Sequence, residues 1–290
     1  MALPTFERRY VSGFDGTRLE VQTFGEGDKT IVIANGLGGT LLAWAPLLNA
    51  LGKDYRFVSW DYRGLYGSGA PAKPERIAVE DHVSDMRVVM DATGTDSAVI
   101  AGWSMGVQVC VQAAVDLASR VDGLMLINGT YGRVFETAFP VPGTGTLFPI
   151  LNRGIIAASP LLPPLVKAAT SWSFFVPAME KLGLVDEHLD REVFVAIASG
   201  FEKLDFRVYH RIMQKLQDHD GEPLLRGIEQ PLLLIVGERD AMTPPSVREV
   251  FEKHIPQCET FAVPKGTHYS LIEYPDLVVG RIERFLSQHY

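Results

Sequence analysis

The chain has 290 residues, of which 27 are Lys or Arg and 35 are Asp or Glu, so its formal charge is −8. Hydrophobic residues make up 47% and charged residues 21%, a composition that excludes a disordered chain and is typical of a globular protein. The acidic balance and the lack of a basic patch argue against a nucleic-acid partner. The length permits either two domains or one large α/β unit.

The two cysteines, Cys110 and Cys258, are too few for a disulfide framework and lack the spacing of a zinc site. The first nine residues contain no apolar segment after a basic start, so no signal peptide is predicted. The longest apolar stretch, 147–166, is broken by prolines and an arginine, which argues against a membrane-spanning helix. We therefore expect a soluble, cytoplasmic protein without a metal.

Strand and helix patterns alternate over residues 1–129. Polar and apolar residues alternate at 18–24, which predicts a half-exposed strand. Nearly continuous apolar runs, typical of strands buried on both faces, follow at 30–35, 56–61, 98–102 and 123–128. Helical spacing marks the intervening stretch 79–92. Short buried strands that alternate with helices predict a parallel sheet covered on both faces.

The alternation stops after the strand at 123–128. Residues 130–178 contain seven prolines and only four charged residues, whereas the stretch that follows is typical of amphipathic helices, with an apolar stripe at Phe194, Ile197, Phe201, Leu204 and Val208. The alternation resumes with strands at 231–237 and 260–263 and with helices at 244–254 and from 273 onwards. We therefore predict an α/β core in two parts, 1–129 and 230–290, with a helical cap at 130–229.

The sharpest local signal is Gly102-Trp-Ser-Met-Gly106, which follows a predicted strand and precedes a helical run at 107–117. This is the G-x-S-x-G pattern in the strand–turn–helix setting that exposes a nucleophilic serine, Ser104. A serine needs a base. Of the seven histidines, His268 stands out because it lies in a loop directly after a strand, where α/β proteins place catalytic groups.

The group that orients the histidine should lie at the same edge of the sheet. Asp240 follows the strand at 231–237, with Glu238 as its main rival. The order Ser104, Asp240, His268 matches one of the known catalytic orders. The second oxyanion donor, beside the amide of Met105, could come from the glycine-rich turn at 35–39. That turn lacks the spacing and the lysine of a phosphate-binding loop.

Five segments, in order, resemble the α/β-hydrolase superfamily, and in particular its capped esterase, lipase and perhydrolase-like branch. They are Asn35-Gly-Leu-Gly-Gly39, Asp61-Tyr-Arg-Gly-Leu-Tyr-Gly-Ser68, Gly102-Trp-Ser-Met-Gly106, Gly237-Glu-Arg-Asp240 with Thr243-Pro244, and Gly266-Thr-His-Tyr-Ser-Leu-Ile-Glu273 with Pro275. The resemblance covers essentially the whole chain outside the cap. It implies an eight-stranded, mostly parallel sheet with a helical cap inserted after the sixth strand.

The resemblance also implies roles for individual residues. Ser104 would be the nucleophile, His268 the base and Asp240 the acid, and the backbone N–H groups of Leu37 and Met105 would stabilise the oxyanion. No metal or organic cofactor is implied.

The sequence departs from the family pattern at two positions. Asn35 stands where a histidine usually braces the oxyanion loop, and Tyr66 replaces the second glycine of the D-x-R-G-x-G-x-S turn. Asn128 ends the sixth strand, where some relatives hold their acid, and it is uncharged, which favours Asp240. We expect Asn35 to alter the geometry of the oxyanion loop, and Tyr66 to alter the conformation of its own turn.

The first function hypothesis is a serine hydrolase that cleaves esters of small to medium apolar acyl groups through an acyl-enzyme. The alternatives are a cofactor-free perhydrolase or haloperoxidase, a carbon–carbon bond hydrolase and, from another class, a non-catalytic ligand receptor. The expected partner is a small ester-type molecule, and the oligomeric state is left open.

Aromatic residues could line the acyl pocket over Ser104. The candidates are Trp103, Phe139, Phe148, Trp172 and Phe175. Ordinary packing between cap and core explains such residues equally well.

Overall fold

The computed structural model describes residues 3–137, 159–244 and 246–290. The eight strands are β1 (Glu7–Ser12), β2 (Arg18–Phe24), β3 (Lys29–Ala34), β4 (Tyr55–Trp60), β5 (Ala98–Trp103), β6 (Val121–Ile127), β7 (Leu232–Gly237) and β8 (Cys258–Val263). They form one sheet in the order β1-β2-β4-β3-β5-β6-β7-β8. β2 is antiparallel to both β1 and β4, and the other neighbours are parallel. The predicted eight-stranded, mostly parallel sheet is confirmed.

The core helices described are α1 (Ala45–Leu51), α2 (Val79–Ala92) and α3 (Met105–Asp116) in the first part of the chain. Between β6 and β7, the described residues form six α-helices: α4 (Val134–Thr137), α5 (Leu162–Ser171), α6 (Phe175–Lys181), α7 (Arg191–Gly200), α8 (Phe206–Asp218) and α9 (Glu222–Leu225). The last part contains α10 (Ser246–His254), α11 (Ser270–Glu273) and α12 (Pro275–His289). The predicted helical insertion after the sixth strand is therefore present.

The edge strand β1 has no counterpart in the predicted elements. Five of its six residues are exposed, so it carries no apolar alternation that would reveal it in the sequence. Its backbone pairs with β2 from Glu7 opposite Thr23 to Ser12 opposite Arg18. Backbone pairing, rather than the burial of side chains, accounts for this strand.

The sheet separates two apolar clusters. Along β3, the side chains of Val32 and Ala34 pack into one cluster, and those of Ile31 and Ile33 pack into the other. The alternation follows from the two-residue repeat of a strand, and it explains why the strand reads as a continuous apolar run. Helices α2, α3 and α10 cover the first face, while α1 and α12 cover the second. This packing fixes the carboxyl edge of the sheet, where the functional loops lie.

None of the helices within the described ranges has both the length and the hydropathy needed to cross a bilayer.

Candidate active site

Ser104 lies in the sharp turn between β5 and α3. Its backbone has φ 56° and ψ −115°, a positive-φ conformation that costs a non-glycine residue about 1–3 kcal/mol. The flanking glycines have no room for a side chain: a Cβ on Gly102 would lie 2.5 Å from the carbonyl oxygen of Gly106, and one on Gly106 would lie 1.9 Å from that of Ala34. The turn therefore requires both glycines, and it holds Ser104 half-buried at the mouth of a cavity.

His268 and Asp240 come from the loops that follow β8 and β7. Because these strands are parallel neighbours, both loops lie at the same edge of the sheet as Ser104. His268 Nδ1 lies 2.9 Å from Asp240 Oδ2, and Asp240 Oδ1 accepts hydrogen bonds from the backbone N–H groups of Met242 (2.8 Å) and Thr243 (3.0 Å). A carboxylate only accepts, so Nδ1 carries the proton and Nε2 is the nitrogen available as a base.

The two acid candidates have different surroundings. Glu238 is exposed, and its Oε2 accepts from the backbone N–H of Lys265 at 3.4 Å. Asp240 is only 6% exposed and bonds to the histidine. The geometry therefore favours Asp240 over its rival.

Asn128 ties the histidine loop to two strands. It is fully buried, and its Nδ2 lies 3.0 Å from the carbonyl oxygens of Thr267 and His268 and 2.7 Å from Ser270 Oγ. Its Oδ1 accepts from the backbone N–H of Gly237 at 2.8 Å. The sequence pattern indicated only that Asn128 is an uncharged residue at a position where some relatives hold their acid. The available signal was a polar residue at the end of an apolar strand.

The two expected oxyanion donors lie on the loops beside Ser104. Leu37 borders the cavity, within a turn that is closed by a hydrogen bond from Gly39 N–H to Gly36 O at 2.8 Å. Met105 is the first residue of α3, so its N–H is among those that a helix leaves without an intrahelical acceptor. The positive end of the helix dipole favours negative charge at this position.

Asn35 braces the loop after β3, the candidate oxyanion loop, through both ends of its amide. Its Nδ2 donates to Ser59 Oγ at 2.9 Å, and its Oδ1 accepts from Trp44 Nε1 at 3.0 Å. The hydroxyl of Tyr62 donates to the Asn35 carbonyl oxygen at 2.8 Å. All of these groups are buried, so the asparagine fixes the start of the loop where relatives usually have a histidine.

Tyr66 connects its own turn to the oxyanion loop. Its backbone φ is 48°, in the left-handed region that a glycine adopts without strain, and its hydroxyl donates to the carbonyl oxygen of Gly38. The same hydroxyl lies near α7, because a Cβ on Gly200 would be 3.4 Å from it. Burial raises the pKa of the Tyr66 phenol, so the group remains a hydrogen-bond donor at neutral pH.

A cavity of about 120 Å³ lies over Ser104 and His268. Its floor comes from the core loops, and its opposite wall comes from the insertion between β6 and β7. The insertion contributes Val134, Ile197, Phe201, Tyr209, Met213 and Leu216. The site is therefore enclosed mainly by apolar side chains.

The aromatic pocket candidates lie in different places. Trp103 borders the cavity, and its Nε1 donates to the His268 carbonyl oxygen at 3.0 Å. Neither Trp172 nor Phe175 borders the cavity. Trp172 is 67% exposed, and Phe175 stacks on Phe194 with ring centroids 5.9 Å apart. The remaining two candidates lie outside the described residues, namely Phe139 and Phe148.

The cavity instead receives aromatic rings from Phe201 and Tyr209, which the sequence analysis did not select. Phe201 belongs to the apolar stripe that the sequence showed, but helical spacing alone does not tell whether a residue faces a core or a cavity. Among the described residues, no group of three or more His, Cys, Asp or Glu side chains is arranged to hold a metal.

Comparison with known proteins identifies the family of this chain. Residues 29–275 match the family model described as the alpha/beta hydrolase fold. The chain belongs to the α/β-hydrolase family.

Relatives of similar length support this assignment. A Caulobacter sp. (strain K31) protein named as a carbamate hydrolase, RutD, is 26% identical over 94% of this chain and 96% of its own. The pimeloyl-[acyl-carrier protein] methyl ester esterase of Serratia marcescens is 25% identical over 94% of this hydrolase and all of its own length. The crystal structure of an enol-lactonase from Burkholderia xenovorans LB400 is 25% identical, covers 96% of this chain and 100% of its own, and has a TM-score of 0.77.

Proposed function

We propose that this hydrolase cleaves carboxylic esters of small to medium acyl groups through a Ser104–His268–Asp240 triad. The observation that carries the proposal is the hydrogen bond between His268 Nδ1 and Asp240 Oδ2, at the same sheet edge and beside the same cavity as Ser104. A methyl ester esterase and an enol-lactonase among its relatives act on the same class of bond.

The mechanism follows from the positions of the groups. His268 Nε2 takes the Ser104 proton as Oγ attacks the ester carbonyl carbon, and Asp240 stabilises the imidazolium that forms. The N–H groups of Leu37 and Met105 stabilise the oxyanion, and each such donor contributes about 3 kcal/mol in comparable sites. Collapse of the intermediate expels the alcohol, which receives the proton from His268. Water then attacks the acyl-enzyme, with His268 again acting as the base.

The segment 130–229 would act as a cap that limits the acyl group. Its side chains form the wall of the cavity opposite Ser104, and those side chains are mainly apolar. A volume of about 120 Å³ corresponds to a few water-sized groups, which favours acyl chains of a few carbons. We therefore expect ester hydrolysis to decline as the acyl chain lengthens.

The proposal is tested by labelling with a fluorophosphonate probe and by steady-state hydrolysis of short p-nitrophenyl esters. Ser104→Ala should abolish labelling and lower kcat by about 10⁴-fold or more, because it removes the nucleophile. Thermal unfolding of the variant should resemble that of the wild type. Persistent labelling, or hydrolysis near the wild-type rate, would contradict the assignment.

A matched control is available in Ser287→Ala. Ser287 is exposed near the end of α12, and its Oγ donates to the carbonyl oxygen of Arg284 at 2.8 Å. This variant should label and hydrolyse esters like the wild type. A loss of activity in both variants would point to a general effect on the protein rather than to the nucleophile.

A further inference from the structure

A row of polar side chains leads from the cavity to the surface. Gln108 lies one helical turn after Ser104 on α3, is only 1% exposed and borders the cavity. Its Oε1 lies 3.1 Å from His219 Nδ1, and His219 Nε2 lies 3.1 Å from Gln112 Oε1. Gln112 Nε2 donates to Asp116 Oδ2 at 3.0 Å. The row therefore consists of four groups whose hydrogen bonds depend on one another.

The protonation state of His219 determines how the glutamine amides in this row are oriented. Both ring nitrogens of His219 face carbonyl oxygens, and only a protonated imidazole has two N–H donors. A neutral His219 has one donor, so one of the two glutamines must then turn its amide. Gln112 cannot turn without placing its oxygen against the carboxylate of Asp116, which only accepts hydrogen bonds. Gln108 is therefore the residue that turns.

The Gln108 amide has a second polar atom, besides the one that bonds to His219, and this atom is available to a ligand. Within the described part of the chain, only His219 hydrogen-bonds to this amide, although the side chain is almost fully buried. Most of the remaining cavity wall is apolar. A buried amide with an unused hydrogen-bonding atom in an apolar cavity is suited to recognise one polar group of a ligand.

We propose that Gln108 hydrogen-bonds a polar substituent on the acyl group, and that neutral His219 turns the Gln108 carbonyl oxygen towards the cavity. The preferred acyl groups would then carry a hydrogen-bond donor, such as a hydroxyl, a few bonds from the ester carbonyl. Gln108 is the residue that contacts the substrate, and His219 is a positioning residue. The inference rests on the proposed ester hydrolysis and narrows its substrate class.

Charged groups around His219 act in opposite directions. Burial lowers the pKa of His219, whereas the carboxylates of Glu80 on α2, Asp116 on α3 and Asp220 in its own loop raise it. Arg133 Nη2 lies 2.6 Å from Asp220 Oδ2, and its positive charge weakens the effect of Asp220 on the pKa of His219. Because burial dominates, the neutral form is favoured at neutral pH. In acid the proton returns, and the Gln108 amide nitrogen then faces the cavity as a donor.

The test compares three methyl esters of nearly the same shape. Methyl 3-hydroxybutanoate carries a donor, methyl 3-oxobutanoate carries only an acceptor, and methyl 3-methylbutanoate carries neither. At pH 7.5, kcat/KM for the hydroxy ester should exceed that for the methyl isostere by about tenfold, the value of one buried hydrogen bond. Gln108→Leu should bring the ratio near unity, and acid release in a pH-stat measures each rate.

Two further measurements separate recognition from a structural effect. Gln112→Leu removes the group that fixes the His219 tautomer, so the preference for the hydroxy over the keto ester should shrink by several-fold. Gln214→Leu makes the same replacement at an exposed position on α8 and should leave the ratios unchanged. In the wild type, the ratio of hydroxy to keto ester should fall as the pH is lowered. The ratio cancels any effect of pH on the catalytic steps that the two substrates share.

The outcomes distinguish this inference from the proposed function. Equal kcat/KM values for the three esters in the wild type would overturn the role of Gln108 but leave ester hydrolysis standing. A Gln214→Leu variant that changes the ratio as much as Gln108→Leu would also overturn it. If none of the esters is hydrolysed and the fluorophosphonate probe does not label Ser104, both proposals fail.

Discussion

At the scale of single residues, the uncharged amide of Asn128 connects several segments of the candidate site. Asn128 uses its whole amide to join the end of β6, the end of β7 and the loop that carries His268. A buried network of this kind stabilises the fold only when every member is satisfied. Removal of the amide would take one buried donor from each of the carbonyl oxygens of Thr267 and His268, and it would take the side-chain acceptor from the Gly237 N–H.

Replacing Asn128 by Ala should therefore affect both stability and catalysis. We expect the free energy of unfolding to fall by about 2–4 kcal/mol and kcat to fall by about ten- to a hundredfold, because the His268 loop loses its anchor. Urea denaturation and p-nitrophenyl acetate hydrolysis measure the two effects. Asn49→Ala, at an exposed position on α1, serves as the control. Wild-type values of both quantities for Asn128→Ala would refute the anchoring role.

At the scale of elements, two loops from different parts of the sheet hold the oxyanion turn. The loop after β3 begins at the buried Asn35, and the turn after β4 reaches across with the hydroxyl of Tyr66 to the carbonyl of Gly38. The positive φ of Tyr66 has an energetic cost, which the surrounding contacts must offset. The tyrosine thus supplies a contact that the usual glycine could not supply.

Tyr66→Phe should lower kcat by about three- to tenfold and change KM little, because it removes one hydrogen bond that positions the oxyanion turn. Steady-state kinetics with a short ester measures this split. Tyr10→Phe is a suitable control, since Tyr10 is 56% exposed on β1. An effect on KM alone would place Tyr66 in substrate binding rather than in the support of the turn.

At the scale of the whole molecule, a buried carboxyl group makes stability depend on pH. Asp61 is 5% exposed and accepts hydrogen bonds from Gln22 Nε2 (3.0 Å) and the Gly67 N–H (2.9 Å). Burial, with a smaller contribution from the negative charge of nearby Glu20, raises the pKa of Asp61 from 3.8 to about 6. Because the folded-state pKa is raised, the stabilising contribution of this group is complete below pH 3.8 and is lost as the pH rises through about 6.

Asp61→Asn should therefore become more stable relative to the wild type as the pH increases from 4 to 7. The expected change in the stability difference is about 2–3 kcal/mol, from a pKa shift of about two units. Denaturant unfolding at several pH values measures it, and Asp96→Asn, at an exposed site, is the control. A stability difference that does not change with pH would contradict the assigned titration.

The order of the buried strands followed directly from the sequence. The apolar runs of β3, β5, β6 and β7 and the G-x-S-x-G turn are local patterns, and a buried parallel strand or a strained turn leaves a local signal. The same reasoning selected Ser104, Asp240 and His268, because residues at the carboxyl ends of parallel strands converge. The edge strand β1 left no such signal, since backbone pairing can form with polar side chains.

Periodicity and short motifs were enough to predict the fold class, the helical insertion and the candidate triad. The groups that surround the triad are visible only in the folded chain. The contacts of Asn128, Tyr66 and Gln108 join segments that are distant in the chain, with partners 28 to 142 residues away. No local pattern records such pairings, since they arise when the packed layers bring loop ends together.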